Sequence, residues 1–141
     1  MKATKLNRIL TLSKVLLVFA IAAAFAPLAV QAARTDEQTV KLVQTSKYNP
    51  ITGNWDVRQK GEPVEISKAF KKHMPNIDYH LVEEKTNSSG RITLTFRGEG
   101  DQRAIVKLKQ YGGETNVRIR VGILGSETKS SQLFSYVYKN S

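Results

Sequence analysis

The chain has 141 residues, no cysteine, and 22 basic against 12 acidic side chains, a formal charge of +10. That length bounds it to about one domain, and the missing cysteine excludes disulfides, thiolate metal sites and a lipid-modified N-terminal cysteine. The basic excess favours acidic partners such as phosphorylated lipid head groups, acidic glycans or nucleic acid, although it also serves solubility alone.

Residues 1–32 have the pattern of a secretory signal peptide. Lys2, Lys5, Arg8 and Lys14 form a basic leader and Val15–Val30 an apolar core. Val30-Gln31-Ala32 then sets small residues at −3 and −1, so cleavage is expected between Ala32 and Ala33. The alternative is a retained membrane anchor. The apolar run is short for a span and carries Pro27 near its end. Removing the four basic residues of the signal leaves an excess of six in Ala33–Ser141. The expected location is outside the cytoplasm, periplasmic or secreted.

Residues 33–38 read as a polar, flexible lead-in, and residues 39–141 as a single α+β domain. Val40 and Leu42 alternate with Lys41 and Val43, which predicts a strand over Thr39–Tyr48. Asn49–Asn54 is dense in turn formers, and alternation resumes at Trp55–Gln59. Together these predict an N-terminal β-hairpin, which extends the sheet or folds over its edge. Trp55, the single tryptophan, is expected to cover the core.

Pro63 suits the first position of a helix, where its missing N–H costs nothing. Ile66, Ala69, Phe70 and His73 follow at i, i+3, i+4 and i+7, one face of a helix over Pro63–His73. Lys68, Lys71 and Lys72 lie on the other face. His73 continues the apolar stripe, which suits a partly buried, hydrogen-bonded histidine.

From Ile77 the period changes to two. Ile77–Val82, Ile92–Phe96, Ala104–Leu108 and Asn116–Leu124 predict four strands, separated by turns at Asn87–Gly90, Gly98–Asp101 and Tyr111–Glu114. One face of this antiparallel meander is apolar. Ser126 is a good N-cap and Glu127 suits the first turn. Leu133 with Val137, and Phe134 with Tyr138, give a closing helix its apolar side. The predicted architecture is a two-layer α+β sandwich: a four-stranded antiparallel meander covered by two helices, plus the hairpin. Gly122, mid-strand on the open face, suggests a bulge or a close backbone approach.

The open face gathers Arg91, Arg97, Lys107, Lys109, Arg118 and Arg120, with Thr93 and Thr95. Such a set can hold phosphate or carboxylate groups, as in acidic lipid, lipopolysaccharide or an acidic glycan. The same residues also suit an ordinary solvated sheet face. No aromatic residue interleaves with them, which argues against single-stranded nucleic acid. Gly125-Ser126 adds a helix N-terminus suited to an anion.

No catalytic, cofactor or metal-binding motif is present, and a non-enzymatic protein is expected. His80 with Glu83 or Glu84 is the one conceivable acid–base group, without a nucleophile. Asn87-Ser88-Ser89 fits a glycosylation sequon, which matters only in a eukaryotic source. A protein–protein module using the hairpin and Trp55, an inhibitor or assembly factor acting on another envelope protein, is the alternative function.

The segment Asn116–Leu133, NVRIRVGILGSETKSSQL, resembles the C-terminal signature of a family of small uncharacterised bacterial envelope proteins, many of them lipoproteins. There a strand of the type x-Arg-hydrophobic-Gly-hydrophobic-x-Gly-Asp precedes a helix with an early serine. Arg120, Gly122, Gly125 and Ser130 or Ser131 match. Ser126 stands where the family tends to have Asp, and the lipid-bearing cysteine is missing. The resemblance spans Ile77–Tyr138 and implies a class and a location, with no activity.

Overall fold

Pro63 and Ser126 begin two helices where expected. In the computed structural model, which describes residues 37–141, α2 spans Pro63–His73 with Pro63 at its first turn. α3 spans Glu127–Lys139, and the Ser126 hydroxyl accepts the Lys129 N–H at 3.3 Å. Both helices bury the predicted stripe: Ile66, Phe70 and His73 on α2, and Leu133, Phe134 and Val137 on α3. The predicted signal peptide and its cleavage site at Ala32-Ala33 lie outside the described residues, as does most of the lead-in.

The strands are β1 (Lys47–Asn49), β2 (Asn54–Lys60), β3 (His80–Thr86), β4 (Ile92–Arg97), β5 (Arg103–Tyr111) and β6 (Glu114–Val121). All pair antiparallel in one sheet of order β1-β2-β6-β5-β4-β3. The protein is thus α+β, with six strands rather than a four-stranded meander beside a separate hairpin. The hairpin extends the sheet: β2 pairs with β6 from Trp55↔Ile119 to Lys60↔Glu114. Helix α2 lies against β4 and β5, and α3 against β2 and β6. Val57, Leu94, Val106, Leu108, Val117 and Ile119 point into the layer between sheet and helices. Among the described residues no helix is long and apolar enough to cross a membrane.

Three local expectations fail. Residues 37–44 form a helix, α1, where a strand was predicted from Thr39. Thr39 is buried, and Leu42 and Val43 pack on the core cluster while Val40 stays exposed, so spacing of three and four decides over alternation. Next, Met74–Ile77 is a 3-10 turn ended by Asp78 at a left-handed φ of 61°, so β3 starts later than Ile77 and runs to Thr86. Finally, β6 stops at Val121 rather than Leu124. Gly122 takes φ +81 and donates its N–H to the Arg103 carbonyl at 2.8 Å, closing the strand end. Ile123 and Leu124, predicted to continue the strand, are exposed instead.

The close backbone approach predicted for Gly122 occurs at Gly125. A Cβ on Gly125 would lie 2.1 Å from the Gly53 carbonyl oxygen, and one on Gly53 would lie 2.0 Å from the Leu124 oxygen. The β1–β2 turn and the β6–α3 turn therefore interlock through two glycines. Gly122 faces open space.

Tyr79 donates to the Gln102 side-chain oxygen at 2.7 Å. Burial pushes its phenol above the ordinary 10.0. The neutral form is favoured in the fold, so this site's stability is fully present below pH 10 and is lost as pH rises through the folded-state pKa. Tyr79→Phe removes that titration. Its thermal midpoint should fall less steeply than the wild type's above pH 10, as followed by circular dichroism.

Candidate anion-binding face

Strand register decides which cations meet. Thr93 pairs with Lys107, Lys107 with Arg118, Lys109 with Asn116, and Asn116 with Arg58. Paired residues share a face, and neighbouring strands lie about 4.8 Å apart. Arg58, Arg91, Lys107, Lys109 and Arg118, with Tyr111 and Asn116, therefore line one shallow depression of about 360 Å³. Five cations line it and no carboxylate does.

The pairing of these cations is unequal. Arg118 donates through Nε to the Asp56 carboxylate at 2.7 Å, and Asn116 donates to the same oxygen at 3.3 Å. Arg58 sits over the Tyr111 ring, 4.6 Å from its centroid, a cation–π arrangement. The side chains of Arg91, Lys107 and Lys109 have no hydrogen bond or ion pair among the described residues. Three unpaired cations thus sit among held ones, a surface with positive charge still to be matched.

Four of the six predicted anion ligands are brought together: Arg91, Lys107, Lys109 and Arg118. Arg97 is at the far end of β4, about 20 Å along the strand from Arg91 at 3.3 Å per residue, where it pairs with Asp101. The Arg120 guanidinium donates to the Ile123 carbonyl and so braces the β6–α3 turn. Arg58 and Tyr111 belong to the site and were not predicted. Tyr111 also corrects the expectation that no aromatic residue accompanies the cations. Arg58 lies in the alternating run Trp55–Gln59, and only the β2–β6 pairing sets it beside Asn116.

The remaining chemistry is dispersed. His80 is exposed at the start of edge strand β3. Glu84 is bound to Lys71 of α2 at 3.1 Å and Glu83 to Lys85 at 2.7 Å, so no acid–base pair forms with His80. His73 is buried, and its Nε2 lacks a hydrogen-bond partner among the described residues, contrary to expectation. Asn87 accepts from the backbone of Ser89 and Arg91 and so organises the β3–β4 turn. No group of three or more potential metal-ligating side chains occurs among the described residues. Trp55 is 1 % exposed and offers no surface to a partner.

A family model described as "Protein of unknown function (DUF3568)" matches residues 14–140. The chain belongs to this family. The DUF3568 match covers the whole described fold, well beyond the Ile77–Tyr138 span of the resemblance noted above. A comparison with curated proteins gave no match.

Proposed function

We propose that the protein is an exported, non-enzymatic component of the bacterial cell envelope that binds anionic groups on its open sheet face. The ligand class is phosphate or carboxylate, carried by acidic lipid, lipopolysaccharide or an acidic glycan. One observation carries the reading: Arg91, Lys107 and Lys109 converge without counter-charges in a depression flanked by Arg58 and Arg118. Arginine suits bidentate contact with such oxyanions, and lysine adds point charge. The N-terminal pattern of basic leader, apolar core and small residues supports export.

The test is calorimetric titration of the exported form, Ala33–Ser141, with monomeric short-chain phosphatidylglycerol and with oligogalacturonate. Near an anionic surface each Lys or Arg contributes about 1 kcal/mol. Reversal in the triple variant Arg91→Glu, Lys107→Glu, Lys109→Glu should weaken binding by about 100-fold or more. Arg97→Glu, outside the cluster, should change it little. Absence of wild-type binding, or equal binding by the triple variant, would overturn the reading.

A further inference from the structure

We propose that the interlocked corner formed by the β1–β2 and β6–α3 turns is a membrane-contact tip, which seats the protein on an anionic phospholipid bilayer. The proposal deepens the anion-binding reading and rests on its cations for the electrostatic part.

Three aliphatic side chains crown this corner. Ile51 is 94 % exposed, Ile123 88 % and Leu124 83 %. Single exposed aliphatics are ordinary, but these three sit on two turns locked to each other by the Gly53–Gly125 approach. Part of the backbone of these turns is paired internally. Asn49 Oδ1 accepts the Ile51 and Thr52 N–H groups, and the Asn49 carbonyl accepts that of Gly53. The Arg120 guanidinium occupies the Ile123 carbonyl. Each group paired in this way enters an apolar boundary at less desolvation cost, and the backbone left unpaired at Leu124 suits the head-group level rather than the acyl interior.

Charge selects the occupant. Ile51 shares a second depression, of about 290 Å³, with Lys107, Arg118 and Arg120. Aliphatic residues projecting beyond a bank of cations match a leaflet in which phosphates lie above acyl chains. A second copy of this face would instead bring like charges together. The acidic β4–β5 turn lies at the same end: Asp101 is paired with Arg97, and Glu99, exposed and without an ion pair among the described residues, is offset by exposed Arg103 in the same corner.

The absence of native cysteine permits a local readout in the exported form, Ala33–Ser141. Leu124→Cys and, at the opposite end of the sheet, Ser88→Cys are each labelled with an environment-sensitive nitrobenzoxadiazole dye. Vesicles of phosphatidylglycerol should shift the Leu124 label to the blue and expose it to a lipid-borne quencher. The Ser88 label should not respond, and pure phosphatidylcholine vesicles should give a weaker response at Leu124. Ile51→Ser with Ile123→Ser in the Leu124-labelled chain should reduce partitioning about tenfold or more. A Leu124 label that stays in water, or responds no more than the Ser88 label, overturns the tip. If short-chain phosphatidylglycerol still binds in that case, the basic-face reading stands without it. A Leu124 response that survives reversal of Arg91, Lys107 and Lys109 keeps the tip and removes the basic face.

Discussion

Gly125→Ala should lower the stability of the protein by about 2–5 kcal/mol or more, whereas Gly122→Ala should cost only about 1–2 kcal/mol. The two glycines have nearly the same backbone angle, φ +83 and +81, so each substitution carries a similar left-handed penalty of about 1–2 kcal/mol. Their surroundings differ. A methyl group at Gly122 meets open space, while one at Gly125 overlaps the Gly53 carbonyl. Backbone oxygen cannot rotate away as a side-chain end can, so the two turns must separate, at an overpacking cost of about 1–3 kcal/mol or more. Gly53→Ala should behave like Gly125→Ala. Urea unfolding followed by circular dichroism gives the ordering. Equal midpoints for the Gly122 and Gly125 variants would show that the corner opens freely.

Trp55→Ala should cost about 3–5 kcal/mol, the usual range for deleting a large buried aromatic. Trp55 packs against Phe134 with ring centroids 5.2 Å apart, and Phe134 stacks on Tyr138 at 5.6 Å. The indole thus joins β2 to the covering helix α3. For a domain of about 100 residues, 1 kcal/mol moves the thermal midpoint by roughly 4–8 °C. The expected fall is therefore on the order of 12–40 °C, readable by calorimetry. Trp55→Phe keeps an aromatic partner for Phe134 and should recover much of the loss. A midpoint unchanged in Trp55→Ala would place the indole outside the core.

The legible parts of the sequence were those where two local signals agree. Pro63 at a helix start coincides with a stripe at three and four, and Ser126 caps a second stripe, so α2 and α3 fall where expected. β4 and β5 were legible because each alternates strictly between two turns. Around Leu42 the signals conflict. Val40 and Leu42 fit a strand, while Thr39, Leu42 and Val43 fit a helix, and a window of eight residues cannot separate the periods. Alternation also continues through Ile123, but the positive φ of Gly122 breaks the strand first. The basic face was legible as a list and not as a site. Arg97 has the same alternation as Arg91, yet Asp101 four residues on captures it. Arg58 and Tyr111 join the cluster only through pairing between strands distant in sequence, which no local pattern records.

The sheet order has a consequence for synthesis. β2 has two neighbours, the three-residue β1 and β6, and its β6 partners lie some sixty positions downstream, as with Trp55 and Ile119. Until the chain has been made past Val121, β2 holds only a short hairpin, which is marginal in water. Trp55 also waits for α3, the last element. β3, β4 and β5 can pair in succession, but closure of the core depends on the C-terminal quarter arriving. Such long-range closure slows folding and keeps the emerging chain open to handling in an extended state. A chain cut before β6 would lack the strand that joins both halves of the sheet and should be degraded rather than accumulate as a partial domain.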